Sequence, residues 1–253
     1  MRLDSHHQFS IEHPPAHLEA VLKRNRFDGS ILIVDEGLSL PAAGLEFIKG
    51  VVMRVDLADP RLGHRLDELQ RDARFRGVCA RIEDEVPPGL PELARRGIAL
   101  DLDIAARHLP TVARIAEQAP ELRIAIDHLA MPPYGAAWSD PWARAMEEAA
   151  RLPQVCAKAS GLLTNAPSPW QAETFRPWVR HALALFGPRR LMFGSDWPAA
   201  LPRASWKESL AAFTQSLGAL PTEVREELLG GAAERFYWPA GLSSNFPRLP
   251  GGK

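Results

Sequence analysis

Two cysteines, Cys79 and Cys156, are all that 253 residues contain. Two cannot make a disulfide framework, so a reducing compartment, the cytoplasm, is the expected setting. Neither sign of charge is in excess: 30 Lys and Arg stand against 31 Asp and Glu, a formal net charge of −1. That balance argues against nucleic acid or an anionic membrane surface as the main partner and leaves a small molecule as the expected one. Apolar runs end after a few residues, far short of the ~20 that a membrane span needs. The opening Met1-Arg-Leu-Asp-Ser-His-His lacks the apolar centre of a secretory signal. No G-x-G-x-x-G or G-x-x-x-x-G-K-[ST] string is present to cradle a dinucleotide or triphosphate. Oligomeric state is left open by all of this.

What is present is a chain with 46% hydrophobic and 24% charged residues, the ordinary balance of a globular protein with ample core. Short apolar runs alternate with longer helical patterns. The strand candidates are Arg2–Phe9, Ser30–Val34, Gly50–Leu57, Phe75–Ile82, Ile98–Ile104, Leu122–Leu129, Val155–Gly161 and Leu191–Asp196. They start roughly 20 to 36 residues apart, the step of one βα unit. Between them Thr111–Gln118, Pro177–Phe186 and Thr222–Phe236 carry helical periodicity, and Ser205 with Glu208 has the capping-box spacing. Eight strands alternating with helices, with no Asn-Gly hairpin signal, point to a single (β/α)8 barrel over residues 1–253. An open doubly wound sheet is the alternative. A Pro/Gly/Ser-rich tail over 239–253 is expected to lie extended on the surface.

Strands buried on both faces should be continuously apolar, and several of these are not. Side chains alternate between faces with period two. Asp4, His6 and Gln8 share one face of the first strand. Arg54 and Asp56 share one in the third, Cys79 and Arg81 in the fourth, and Asp101 and Asp103 in the fifth. His128 ends the sixth, Lys158 and Ser160 share a face of the seventh, and Gly194 and Asp196 one of the eighth. These groups crowd toward the C-terminal strand ends, where barrel enzymes keep their chemistry. The plainer reading of some is structural: Arg54 with Asp56, or Arg81 with Asp101 or Asp103, can fill the interior as ion pairs. His6, His128 and Asp196 together are harder to explain that way, being strand-end groups of metal-ligand or acid/base type. His7 lies on the opposite face from His6. His13, His17, His64 and His181 read as surface residues, and His108 as either mouth or surface. Ser160 with His128 and Asp196 has the composition of a nucleophilic triad, but no nucleophile elbow surrounds the serine. Cys79 reads as packing. Tyr134, Trp138, Trp142, Trp170 and Trp197 follow strands and can wall a pocket or cap the helix ring.

Five strings carry a family likeness: Asp4-Ser-His-His-Gln-Phe9, Phe75-Arg-Gly-Val78, Ile126-Asp-His-Leu-Ala-Met-Pro-Pro133, Ala157-Lys-Ala-Ser-Gly-Leu162 and Phe186-Gly-Pro-Arg-Arg-Leu-Met-Phe-Gly-Ser-Asp-Trp-Pro198. Together they resemble the amidohydrolase-2 family, whose members include sugar-acid and dicarboxylate lactonases. The resemblance implies a barrel that hydrolyses cyclic esters by water attack, with Asp196 as general base and His128 and His6 polarising the carbonyl or holding a metal. Arg81, Lys158, Arg54, Gln8 and Tyr134 are the expected substrate contacts. The expected cofactor is either none or one divalent ion, zinc or manganese, held by His6, His128 and Asp196, because Gln8 stands where the family's H-x-H motif has its second histidine. Two further departures are Cys79 where an arginine is common, with Arg81 as its stand-in, and Ala130-Met131 where Gly-Lys is usual. The alternatives are a metal-dependent decarboxylase, which Gln8 disfavours, and a barrel that binds a ligand without turnover.

Overall fold

Eight parallel strands can bury all their backbone polar groups only if the last finds the first, and here it does. The computed structural model describes residues 1–10, 12–35 and 44–239. Its strands are β1 (Leu3–His7), β2 (Gly29–Val34), β3 (Ile48–Arg54), β4 (Phe75–Arg81), β5 (Ala99–Asp103), β6 (Ile124–Ile126), β7 (Val155–Ala159) and β8 (Leu191–Phe193). Each pairs in parallel with the next. The seam between β8 and β1 closes just past the strand ends: Asp196 N donates to His6 O at 2.9 Å and Gln8 N to Trp197 O at 2.7 Å. The alternation read from the sequence is therefore a (β/α)8 barrel and not an open sheet. Most strands are shorter than their apolar runs. The extreme case is β6, which stops at Ile126 because the next residues turn. The expected tail, beyond Pro239, lies outside the described residues.

The helices are α1 (Pro15–Arg24), α2 (Leu62–Leu69), α3 (Leu90–Arg96), α4 (Thr111–Gln118), α5 (Asp140–Ala150), α6 (Ala172–Phe186), α7 (Trp206–Leu217), α8 (Thr222–Glu226) and α9 (Ala232–Tyr237). At α7 the capping box forms as its spacing suggests: Ser205 Oγ accepts from Glu208 N while the Glu208 carboxylate accepts from Ser205 N. The α6 helix begins five residues before the expected Pro177, since burial of Phe175 and Ala172 outweighs the one hydrogen bond the proline removes. Thr222–Phe236, expected as one amphipathic helix, is instead α8, a wide turn over Glu227–Gly231, and α9. The pair Gly230-Gly231 interrupts it, and the break lets α9 fold under the barrel.

Two apolar layers result. The larger lies between sheet and helices, with Val51, Val78, Leu100 and Phe193 from the strands and Leu66, Val112, Met146 and Val179 from the helices. The smaller fills the interior: Leu3, Ile31, Ile33, Val52, Cys79, Ala99, Ala125, Cys156 and Met192, together with Ala232, Ala233, Phe236 and Tyr237 of α9. Small residues on β5 and β6 leave room for the α9 rings, which plug the N-terminal end. Arg123 of the β6 approach fastens the plug by donating to Phe236 O and Gly97 O. With its floor sealed, the barrel has its chemistry at the opposite, C-terminal rim.

Candidate active site

His6, His128 and Asp196 converge. Each offers one ligand-type atom, and these atoms lie within 4.8 Å of one another. Simple alternation would not have delivered all three. The β1–β2 pairing is irregular between Asp4 and His7, so Asp4, His6 and Gln8 do not share one face as period two suggested. Asp4 turns to the helix layer, accepting from Ser195 N at 2.8 Å and Trp206 Nε1 at 2.7 Å, and burial raises its pKa. His6 turns inward.

At β6 the chain takes left-handed backbone at four successive residues, His128 (φ 55°), Leu129 (φ 51°), Ala130 (φ 57°) and Met131 (φ 50°). Such geometry costs about 1–2 kcal/mol per non-glycine residue. It brings the neighbours Asp127 and His128 to the same site, which an extended strand would split between opposite faces. Asp196, at φ 58°, is held in the same way. Two glycines make the space. A Cβ on Gly161 (φ 64°) would stand 2.7 Å from His128 Nδ1, and one on Gly194 would stand 2.7 Å from His6 Cβ and 2.9 Å from Ser160 Cβ.

Each catalytic-type group has a partner behind it. Ser160 Oγ lies 2.9 Å from His128 Nδ1 and accepts from His128 N at 3.3 Å. Thr164 Oγ1 donates to Asp196 Oδ2 at 2.6 Å, leaving Oδ1 toward His6 Nε2 at 3.8 Å. Asp127 Oδ2 faces His6 Nδ1 at 3.6 Å. The rings of His6 and His128 meet edge to face with centroids 4.6 Å apart. Burial lowers the His6 pKa, against the pull of Asp127.

Beneath the rim, Lys158 is wholly buried and ion-paired to Asp101 Oδ2 and, at 2.9 Å, to Asp127 Oδ1. Burial favours its neutral form, but the two carboxylates win and hold it charged. At Asp127 burial is the largest single influence, but the Lys158 ammonium and the imidazoles of His6 and His128 together overcome it, and the pKa is low. Burial dominates at Asp101, whose pKa is raised. Asp101 Oδ2 also accepts from the Tyr237 hydroxyl at 2.7 Å.

The other expected residues scatter. Lys158 is thus an internal strut and not a substrate contact, since two carboxylates occupy it out of reach of solvent. Arg54 pairs with Asp35 and Asp103, both at 3.1 Å, and not with Asp56, because its side chain reaches across the rim to the ends of β2 and β5. Its Nη2 keeps no partner among the described residues. Arg81 pairs with neither Asp101 nor Asp103. It is exposed and lines a cleft of about 420 Å³ with Asp56, Glu83 and Glu85 at the ends of β3 and β4. Gln8 is half-buried beside the seam. Tyr134 lies in the helix layer against Phe175 and Trp178 of α6, so its ring packs and does not face the mouth. His181 and His13 are half-buried and not free surface groups: His181 meets Trp138 and Trp142, and His13 meets Trp197. His108 is buried on Asp84 at 2.7 Å. His17 and His64 are exposed, as expected. Ser160 has no approach to a substrate of its own, being buried and committed to His128, so the triad reading finds no nucleophile.

Asp127, Thr164 and Tyr237 were missed. Asp127 was visible in the Asp-His-Leu string, but period two assigns only one residue of an adjacent pair to a face. Thr164 sits in a loop and Tyr237 at the far end of the chain, and nothing local marks either.

The surroundings fit a divalent ion at His6, His128 and Asp196. Both ring nitrogens of His6 are buried without a hydrogen-bond partner among the described residues. The carboxylates of Asp101 and Asp127 share the ammonium of Lys158, and the Asp196 carboxylate adds a further negative charge at the rim. Two imidazoles and one carboxylate with an open side is the donor set of a catalytic zinc, and Asp127 and Ser160 stand behind the imidazoles as orienting groups.

Comparison with known proteins identifies relatives of the chain. A family model described as amidohydrolase matches residues 42–238. An L-fucono-1,5-lactonase of Burkholderia ambifaria is 32% identical over 207 residues, 74% of this chain and 70% of the relative. An L-fucono-1,5-lactonase of Burkholderia multivorans is 31% identical over 214 residues, 75% and 71% of the two chains. An amidohydrolase from Burkholderia multivorans, solved with bound zinc, superposes with a TM-score of 0.79 at 27% identity, covering 94% of this chain and 99% of that one. The 2,6-dihydroxybenzoate decarboxylase from Rhizobium shares the fold, with a TM-score of 0.63 at 13% identity over 93% of this chain and 97% of its own. With a match running from before β3 to the end of α9, over three quarters of its length, the chain belongs to the amidohydrolase family.

Proposed function

We propose that this amidohydrolase opens a small polar lactone of the sugar-acid type by attack of water on the ring carbonyl. The observation that carries the reading is the convergence of His6, His128 and Asp196 at one rim, each backed by its own partner. The two lactonase relatives at 31–32% identity support the cyclic-ester substrate.

In this reading the Asp196 carboxylate accepts a proton from water through Oδ1, while Thr164 holds Oδ2 and stops the group from rotating. Asp127 orients the His6 imidazole with its protonated nitrogen inward, so Nε2 faces Asp196 and holds the water. When Ser160 donates to His128 Nδ1, Nε2 carries the hydrogen and points at the carbonyl oxygen as a donor. Water oxygen bonds to the carbonyl carbon, the tetrahedral adduct collapses, and the ring C–O bond breaks. The proton taken by Asp196 then passes to the leaving ring oxygen, giving a hydroxy acid. A divalent ion held by His6, His128 and Asp196 would supply Lewis-acid polarisation and a more acidic water. In this reading Arg54, through Nη2, and Gln8 take the hydroxyls or carboxylate of the substrate, and Arg81 takes the far end of a longer one; the Arg54 ion pairs at the rim and the cleft beside Arg81 support these roles.

The test is a panel of aldonic and dicarboxylic lactones read by pH indicator, with Asp196→Asn alongside. Wild type is expected to open at least one sugar-acid lactone well above background, and Asp196→Asn to lose ~10²–10⁴-fold without loss of fold. A panel that is negative throughout removes the lactone assignment, and full turnover by the variant removes Asp196 as the base.

A further inference from the structure

The charged groups inside the barrel form a column from floor to rim. At its foot is Tyr237, in α9, the helix that plugs the N-terminal end; it is buried, and its hydroxyl donates to Asp101 Oδ2 at 2.7 Å. Lys158 shares that oxygen and also pairs with Asp127 Oδ1 at 2.9 Å, while its ammonium stands 5.7 Å from the Tyr237 ring centre. Asp127 Oδ2 then faces His6 Nδ1 at 3.6 Å, and His6 Nε2 faces Asp196. A residue under the floor is thus joined to the reacting rim through three side chains from β5, β7 and the end of β6.

We propose that Tyr237 is a positioning residue for His6: its hydroxyl sets how Lys158 divides between Asp101 and Asp127, and so which way Asp127 holds the His6 ring. The hydroxyl is more than packing requires. Phenylalanine would fill the same volume among Phe236, Ala232 and Ala233, whereas the hydroxyl brings a hydrogen-bond donor into a site where one ammonium serves two carboxylates. Asp101 Oδ1 already lacks a hydrogen-bond partner among the described residues. Without Tyr237, Lys158 alone must satisfy Asp101, and it is drawn off Asp127. Asp127 then loses its anchor, and the His6 imidazole loses the partner that keeps Nδ1 protonated and Nε2 turned to the rim. No substrate touches Tyr237 in this arrangement.

The inference rests on the placing of His6 at the catalytic rim, and its test is chosen to survive failure of the lactone reading. Tyr237→Phe is compared with wild type as purified, by kcat and KM on whichever lactone is opened and by long-range ¹⁵N–¹H correlation of the histidine rings without substrate, with His6 assigned through His6→Gln. The expected result is a folded protein whose kcat falls about 10-fold, with KM within about twofold. The His6 ring nitrogens move toward a mixture of tautomers while those of His17 and His64, both exposed, stay in place. If Tyr237→Phe does not fold, uniform 3-fluorotyrosine labelling replaces it. That label is nearly isosteric and a stronger donor, and because the Tyr134 hydroxyl has no partner among the described residues, it enters the column through Tyr237. A displaced His6 ring signal is then expected. If no lactone is turned over, the lactone reading falls and the ring spectrum still decides the coupling. Unchanged His6 signals in either folded protein overturn it.

Discussion

Ser160 Oγ stands 2.9 Å from Nδ1 of His128 and accepts the backbone N–H of that same residue at 3.3 Å. The serine therefore has one hydrogen left to give, and the imidazole nitrogen is the acceptor in place. Two arrangements follow, with two uses. If Ser160 donates, His128 presents Nε2–H to a carbonyl; if Nδ1 donates, a bare Nε2 is free for a metal ion. Ser160→Ala removes the choice. We expect the variant to keep its fold and to lose about 10- to 100-fold in kcat, with a smaller change in KM. Steady-state kinetics on the opened lactone check this, and wild-type kcat would show that His128 needs no such support.

Lys158 is a buried cation between two buried anions, and removing one partner of such a set leaves uncompensated charge. Lys158→Met is expected to cost about 3–5 kcal/mol. Adding Asp101→Asn should recover part of that loss, because it neutralises one of the two stranded carboxylates. Chemical denaturation of the single and double variants measures both effects. A single variant within 1 kcal/mol of wild type would mean that the interior adapts more freely than its packing suggests.

Zinc binding is testable through stability alone. Protein stripped with a chelator and returned to zinc at about 100 times its Kd should gain about 2.7 kcal/mol, a rise in Tm of roughly 5–10 °C for a chain of this size. Asp196→Asn and His6→Gln should each abolish most of the rise. The same rise in all three proteins would place the ion elsewhere.

Acid sensitivity should come partly from His7. This residue is wholly buried, and burial pulls its pKa down to about 3, against a smaller contribution from the Ile31 backbone. In the unfolded chain it titrates near 6.5. Between those two values the unfolded state binds more protons, so this contribution to stability rises with pH. It is complete above about 6.5 and erodes as pH falls toward 3, at up to about 1.4 kcal/mol per pH unit. His7→Phe should flatten the fall in Tm between pH 6.5 and 4. An unaltered pH profile would show that His7 is protonated in the folded protein as well.

How much of this was legible beforehand differs from residue to residue. His6, His128 and Asp196 could be named because a polar group at the C-terminal end of a buried strand conflicts with its neighbours, and the conflict is visible locally. Lys158 was just as conspicuous, yet its task was misread: alternation says that a lysine points inward, not that two aspartates from other strands already wait for it. Arg54 was given the partner nearest in sequence and took two that are near only in space. Tyr237 gave no sign at all, since an aromatic residue late in an amphipathic segment looks like ordinary core.

The amino-acid order alone determined the number of strands, their spacing, and which of them carry ionisable groups, because backbone alternation and helical period act over a few residues. Only the closed ring decided which of those groups meet. That outcome depends on where β6 stops and reverses hand, on the irregularity that turns His6 inward, and on a terminal helix folded beneath the floor. Each of these is a balance between local strain and burial among segments up to two hundred positions apart, and no short stretch of sequence contains both sides of that balance.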